Sequence, residues 1–291
     1  VKTVANQSIG VFDSGHGGLT IQVKLAAAFP GLAFCYLGDH ANAPYGGRTE
    51  AEVLALTRQG IEALFREGCR LVLLACNTAA AVALRRLQQE WLPRAYPHHR
   101  VLGVVVPAVE AITGVDWQQR HAAAEAGRPR TVAVFATSLT VASGAFPREI
   151  GLRAPWINMV QQPCPELAGA IERGASEAIL TRLIAGYVAG CKAQLAGRRL
   201  DAALLGCTHY PLAAPLFRRH LPVNTALVAQ SDLIAASLAR YLERHPEFRA
   251  PGLGVRYLTT GNPVSVSEVA SFFLGQTIRF ETLRQAALLA G

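Results

Sequence analysis

Lysine is scarce in this chain of 291 residues: Lys2, Lys24 and Lys192 are the only three among 28 lysines and arginines. Lys2 is terminal, Lys24 follows a glycine-rich turn and Lys192 lies in a helical pattern, so none offers a strand-end amine of the kind that anchors pyridoxal phosphate as a Schiff base. Charge is sparse as well, at 16% of residues against 51% hydrophobic. Such a composition excludes a disordered chain, because there is ample apolar surface to offset the entropy of ordering. Long apolar runs are missing too. The uncharged, largely apolar stretch from Leu71 to Leu84 is interrupted by Asn77 and Thr78 and falls short of the roughly 20 residues that cross a bilayer, so no membrane contact is expected.

Motifs are also notable for their absence. In Ile9 to Thr20 (IGVFDSGHGGLT) the sixth position of a G-x-G-x-x-G fingerprint is Thr20, so the dinucleotide test fails. No Walker A or H-E-x-x-H string occurs. Six cysteines (35, 69, 76, 164, 191 and 207) follow no disulfide framework, and Val1 to Ser8 has no apolar core. A reducing, cytoplasmic setting is therefore expected. The net charge of +8 raises the question of nucleic acid or a DNA enzyme as partner. Its longest basic clusters are only the pairs Arg85-Arg86, Arg198-Arg199 and Arg218-Arg219. Solvated helix ends explain these, and nucleic acid is not expected as the main partner.

What is present is a repeated strand-helix pattern. Apolar runs at Ser8 to Phe12, Ala33 to Leu37, Leu71 to Ala75, Val101 to Val105, Thr131 to Phe135, Ala202 to Leu205, Ala226 to Val228 and Val255 to Leu258 read as strands. Their continuous rather than alternating hydrophobicity suits parallel sheets covered on both faces. Helical spacing marks Glu50 to Glu67, Glu166 to Glu172 and Ala178 to Leu195. The fold class is α/β. Two internal echoes suggest two related lobes: Val11 with Val134, and Cys76 with Cys207, at similar offsets of 123 and 131 residues. The polar segment from Thr113 to Arg130 reads as a connection near the lobe boundary.

The paired cysteines carry the strongest chemical signal. A thiol between a buried strand and a helix start meets the positive end of the helix, which should favour thiolate and lower its pKa. Cys76 and Cys207 are followed by Asn77-Thr78 and Thr208-His209, side chains able to bind a carboxylate or assist proton transfer. Cys35, Cys69 and Cys191 read as small buried hydrophobes. Asp13 and Ser14 stand where a strand meets a glycine-rich turn, and with only five aspartates in the chain this one is informative; a helix N-cap is the ordinary alternative. Tyr45-Gly46 reads as a turn. Cys207 and His209 lack the further ligands that zinc requires, so no metal is expected.

Together these segments resemble the glutamate racemase family. The resemblance rests on VFDSGHGGLT, YLGDHANAPYG, LVLLACNTAAA, VPAVEA, FATSLTVASGAF, PCPELAGAIERG, LLGCTHYPL and FFLGQTIRFETL, all in family order. It implies two pseudo-symmetric lobes, each a mainly parallel sheet flanked by helices, with the active site in the cleft between them. The first would be discontinuous, 1–107 plus 223–291, and the second 108–222. It further implies interconversion of L- and D-glutamate for peptidoglycan without a cofactor, and a homodimer. Cys76 and Cys207 become the acid/base pair, assisted by Asp13 and His209. Ser14, Tyr45, Gly46, Asn77, Thr78, Thr137, Thr140 and Thr208 join them around the substrate, and Glu172 occupies a further matching position. His209 after the second cysteine favours the glutamate over the aspartate branch. His40, Asn42 and Phe146 depart from the family pattern. The alternatives are a racemase of another acidic amino acid, and a catalytically silent binding or regulatory protein using the basic surface.

Overall fold

The computed structural model describes residues 7–116 and 129–283. Most of the polar connection between Thr113 and Arg130 thus lies outside the described residues, as does Lys2. Among the described residues, ten strands form two sheets: β1 (Ile9–Asp13), β2 (Phe34–Gly38), β3 (Leu71–Leu74), β4 (Arg100–Gly103), β5 (Arg130–Ala136), β6 (Ile157–Pro163), β7 (Ala202–Gly206), β8 (Ala226–Val228), β9 (Val255–Thr259) and β10 (Phe280–Thr282). The first sheet runs β10-β9-β2-β1-β3-β4 and the second β6-β5-β7-β8. Every pairing within them is parallel, with Val11 opposite both Tyr36 and Leu73, and Val134 opposite both Gln161 and Leu204.

Parallel strands covered on both faces must be apolar throughout. β1, β2, β3 and β7 accordingly consist entirely of buried residues. Local chemistry sets the helices around them. Thr49 and Glu52 form a reciprocal capping box at the start of Glu50–Arg66, which satisfies two otherwise orphaned N–H groups. Asn262 caps Pro263–Leu274 by accepting from Val264 and Ser265 N–H.

The strand order places the site. In the first sheet the chain goes from β1 outward to β2 and then returns to the other side of β1 as β3; in the second it does the same with β5, β6 and β7. Such reversals open a crevice beyond the carboxyl ends of the two strands flanking them. Asp13 and Cys76 stand at the ends of β1 and β3, while Thr137 and Cys207 follow β5 and β7.

Several sequence expectations need correcting. β6 (INMVQQP) and β10 were not foreseen: both are edge strands with a partly solvated face, so they lack a continuous apolar run. β8 is hydrogen-bonded to β7 in the second sheet, so residues 226–228 do not join the first lobe as the boundary at 222/223 required. The boundary at 107/108 falls inside the helix Val105–Thr113, which packs against Ser231–Arg244 of the first lobe and Ala145–Arg153 of the second. Arg85 and Arg86 lie within a continuous helical stretch, 77–95, rather than at a helix end. No helix among the described residues is long and apolar enough to cross a membrane.

Candidate active site

The chain leaves β1 through the turn Asp13 to Gly18. Asp13 Oδ1 accepts the Gly15 N–H at 2.9 Å and Oδ2 accepts the Thr208 hydroxyl at 3.3 Å, so this carboxylate joins the two lobes. Gly18 holds the cap position of the following helix, Leu19–Ala28. Burial raises the Asp13 pKa to about 6, against the opposing pull of the His209 charge. Tyr36 donates its hydroxyl to Gly15 O at 2.7 Å and braces the turn from beneath. Close approach by the second lobe explains the glycine at 17, where a Cβ would stand 2.6 Å from His209 Nδ1.

Ser14 Oγ lies 3.4 Å from Cys76 Sγ. Cys76 occupies the N-cap of the helical stretch that starts at Asn77, the position expected to lower its pKa. The net direction is the reverse. Burial, reinforced by the Asp13 charge, pushes the thiol up to about 12, while the bonds from Ser14 and the Ala79 N–H oppose this only in part. Desolvation of an anion outweighs the first turn of one helix here. Cys207 is near enough for its charge to act on Cys76 as well.

In the second lobe, Cys207 Sγ is 3.8 Å from His209 Nδ1. The opposite nitrogen, Nε2, makes a short ion pair with Glu172 Oε2. Glu172 Oε1 is 2.6 Å from His16 Nδ1, back in the first lobe. Burial opposes charge on Glu172, but its bonds to His16 and His209 prevail and hold it well below the usual carboxylate range. For His209, burial is likewise outweighed by Cys207 and Glu172, and its pKa is raised well above normal. The result is a chain of partners, Cys207, His209, Glu172 and His16, that crosses from one lobe to the other.

Three threonines close another part of the cleft. Thr78 Oγ1 lies 3.0 Å from Thr137 Oγ1 and 3.2 Å from Thr140 Oγ1, and Thr137 donates to Thr140 at 2.9 Å. Thr137 also caps Ser138–Ala142 by accepting the Thr140 N–H. Gly46 sits against Thr137, where a Cβ would be 2.8 Å from the threonine Cβ. Beside it Tyr45 is buried and donates to Asp39 Oδ2 at 2.6 Å. Asn77 donates to Gln230 Oε1 at 2.7 Å, which leaves the buried Asn77 Oδ1 without a protein donor among the described residues.

All twelve candidate positions thus border the interlobe cleft or its immediate supports. Sequence reasoning missed Gln230, which precedes a helix in a polar stretch, and His16, whose spacing carried no signal. Asp39, which accepts from Tyr45, also accepts from Thr260 at 2.7 Å.

Two facing parallel α/β lobes, each with a thiol beyond its strand-order reversal, define a class of two-lobed isomerase. A glutamate racemase from Phenylobacterium zucineum is 46% identical over 284 residues, spanning 94% of this chain and 99% of the relative. The crystal structure of a glutamate racemase isoform from Bacillus anthracis matches with a TM-score of 0.80 at 27% identity, over 96% of this chain and 97% of that one. That of Francisella tularensis glutamate racemase, in complex with D-glutamate, also matches at 0.80, with 26% identity over 95% and 97%. No protein-family model matches the chain. The chain belongs to the glutamate racemase family.

Proposed function

We propose that this chain interconverts L- and D-glutamate without an organic cofactor, using Cys76 and Cys207 as opposed acid/base groups. One thiolate takes the α-hydrogen as a proton from one face of the amino acid, and the other thiol returns a proton to the opposite face. The substrate is inverted with no net change in composition, and the two sulfurs exchange protonation states. A single base would return the proton to the face it came from. The observation that carries the reading is the matched placement of the two sulfurs beyond the reversals of two facing sheets, each with its own polar partner.

Cys76 rests as the thiol and donates first; Ser14 and Asp13 support it. His209 takes up and returns the proton of Cys207. Ser14, Tyr45, Gly46, Asn77, Thr78, Thr137, Thr140 and Thr208 line the substrate site, with Asn77 Oδ1 available to the ammonium group. Preorganised hydroxyl, amide and backbone donors would stabilise the carbanion-like transition state, because they need no reorganisation as charge develops. The two lobes act as domains, the first made of the chain's two ends. A cytoplasmic homodimer supplying D-glutamate to peptidoglycan is the setting this reading implies.

The test is incubation of metal- and pyridoxal-free protein with L-glutamate in D2O, which should give D-glutamate carrying deuterium at Cα. Cys76→Ala and Cys207→Ala should each abolish inversion. Absence of exchange, native turnover in either variant, or preference for aspartate in a substrate panel would overturn the reading.

A further inference from the structure

We propose that His16 is a positioning residue for the proton chemistry at Cys207: it fixes the Glu172 carboxylate, and through it the His209 ring, against the sulfur. The inference rests on the functional reading above. His16 stands on the turn after β1 in the first lobe, while Glu172 ends the helix Leu167–Glu172 in the second. Two groups of His16 converge on the same oxygen, with Nδ1 2.6 Å and the backbone N–H 3.3 Å from Glu172 Oε1. The other oxygen, Oε2, is left to His209. A carboxylate held on both oxygens cannot rotate without breaking one set of bonds.

Without His16 that restraint would be lost. Glu172 keeps 22% of its side chain accessible, so water would compete for the carboxylate and His209 would lose the fixed acceptor that aims its Nδ1 at Cys207. His16 is itself held from behind, because its Nε2 lies 3.2 Å from Val266 O. Both of its partners, the Glu172 carboxylate and the Val266 carbonyl, are acceptors, so the ring is held from two sides. The neighbouring His40, whose ring centroid is 4.3 Å away, packs edge to face against it and takes neither of its partners. Its Nδ1 faces Gly38 O at 3.0 Å and Thr259 Oγ1 at 2.9 Å, and burial, with His16 beside it, lowers its pKa to about 3. The link from His16 to Glu172 thus ties the first lobe to the second at this point.

The experiment compares native protein with His16→Val, which removes the ring, and His16→Asn, whose amide can still donate toward Glu172. Loss of alignment without loss of substrate contacts should lower kcat by roughly ten- to a hundredfold and leave KM little changed. His16→Asn should recover most of the loss, which a purely structural role would not require. Iodoacetamide labelling followed by peptide mass spectrometry supplies a readout independent of turnover: His16→Val should slow alkylation of Cys207 more than that of Cys76. Equal kcat loss in both variants, or native labelling of Cys207 in His16→Val, overturns the proposal. If labelling behaves as expected but native protein does not invert glutamate, the functional reading fails while the positioning role stands.

Discussion

Gly17→Ala tests whether contact between the lobes sets the catalytic geometry. Gly17 is not among the residues of positive φ, so its backbone tolerates alanine and any cost arises from across the cleft. The added Cβ would meet Thr208 Oγ1 most closely, and would stand 2.6 Å from His209 Nδ1 and 2.7 Å from Cε1. Ordinary contact starts near 3.4 Å, so the Thr208 hydroxyl must turn away and the ring must give by about 0.8 Å, or the whole second lobe must retreat. The ring cannot turn aside freely, because Glu172 holds its far nitrogen and Cys207 its near one. Overpacking of this kind costs about 1–3 kcal/mol. A misplacement approaching 1 Å at reacting groups lowers turnover by on the order of a hundredfold, equivalent to about 2.7 kcal/mol in the barrier. The two effects separate experimentally. Steady-state racemisation, followed by circular dichroism of glutamate, should show the loss in kcat, while the melting temperature falls by only a few degrees. Gly31→Ala is the control, since a Cβ there meets nothing within 4 Å. If Gly17→Ala keeps the kcat and KM of that control, the cleft tolerates a wider spacing than this reasoning permits.

Asp13 makes a pH-dependent prediction. Its folded pKa of about 6 exceeds the ordinary 3.8, so the folded state binds this proton more tightly than the unfolded one. The resulting stabilisation is complete below pH 3.8 and lost as pH rises through about 6, and it amounts to about 3 kcal/mol. Urea unfolding at pH 4 and pH 7 should therefore show the advantage of native protein over Asp13→Asn shrinking with pH, and an equal difference at both pH values would contradict the assignment. Gln230→Leu removes the acceptor that orients Asn77; loss of one buried hydrogen bond, about 1 kcal/mol, should raise KM for glutamate about fivefold, and an unchanged KM would remove Asn77 from the substrate site. Gly186 is exposed within the helix Glu177–Leu195, with nothing near its would-be Cβ, so Gly186→Ala should stabilise by about 0.5–1 kcal/mol in thermal unfolding without altering turnover.

How far the site could be read in advance depended on the kind of signal each residue left. Asp13, Cys76 and Cys207 end continuous apolar strands, and a buried parallel strand announces its own carboxyl end. The pairing of Cys76 with Cys207 was visible because two similar strand ends recur at similar spacing. His16 and Gln230 gave no such mark. Their roles arise from contacts 156 and 153 residues away, to Glu172 and Asn77, and no local pattern encodes these. The pKa of Cys76 was misjudged for a related reason: the helix start is a local feature, whereas the burial that overrides it comes from both lobes. β6 and β8 escaped correct placement because an edge strand needs only part of its surface buried, so neither its extent nor its sheet follows from hydrophobicity.

The two lobes repeat a topology but not an electrostatic environment. Cys76 faces Ser14 and the Asp13 charge, whereas Cys207 faces His209 backed by Glu172 and His16. An asymmetric site is compatible with a symmetric reaction for a thermodynamic reason. L- and D-glutamate have equal free energies in water, so the equilibrium constant is one and kcat/KM must be the same for both hands whatever surrounds each sulfur. The asymmetry can appear only in how that common ratio divides between kcat and KM, and in which proton transfer limits the rate. Under the proposed scheme, a variant that disturbs the His209 side must lower kcat/KM equally for both enantiomers while changing their deuterium isotope effects unequally. A change that left the two isotope effects in their original proportion would mean that the transfers at the two sulfurs are coupled in one step, and that the distinct surroundings of Cys76 and Cys207 serve closure of the cleft rather than the division of acid and base roles.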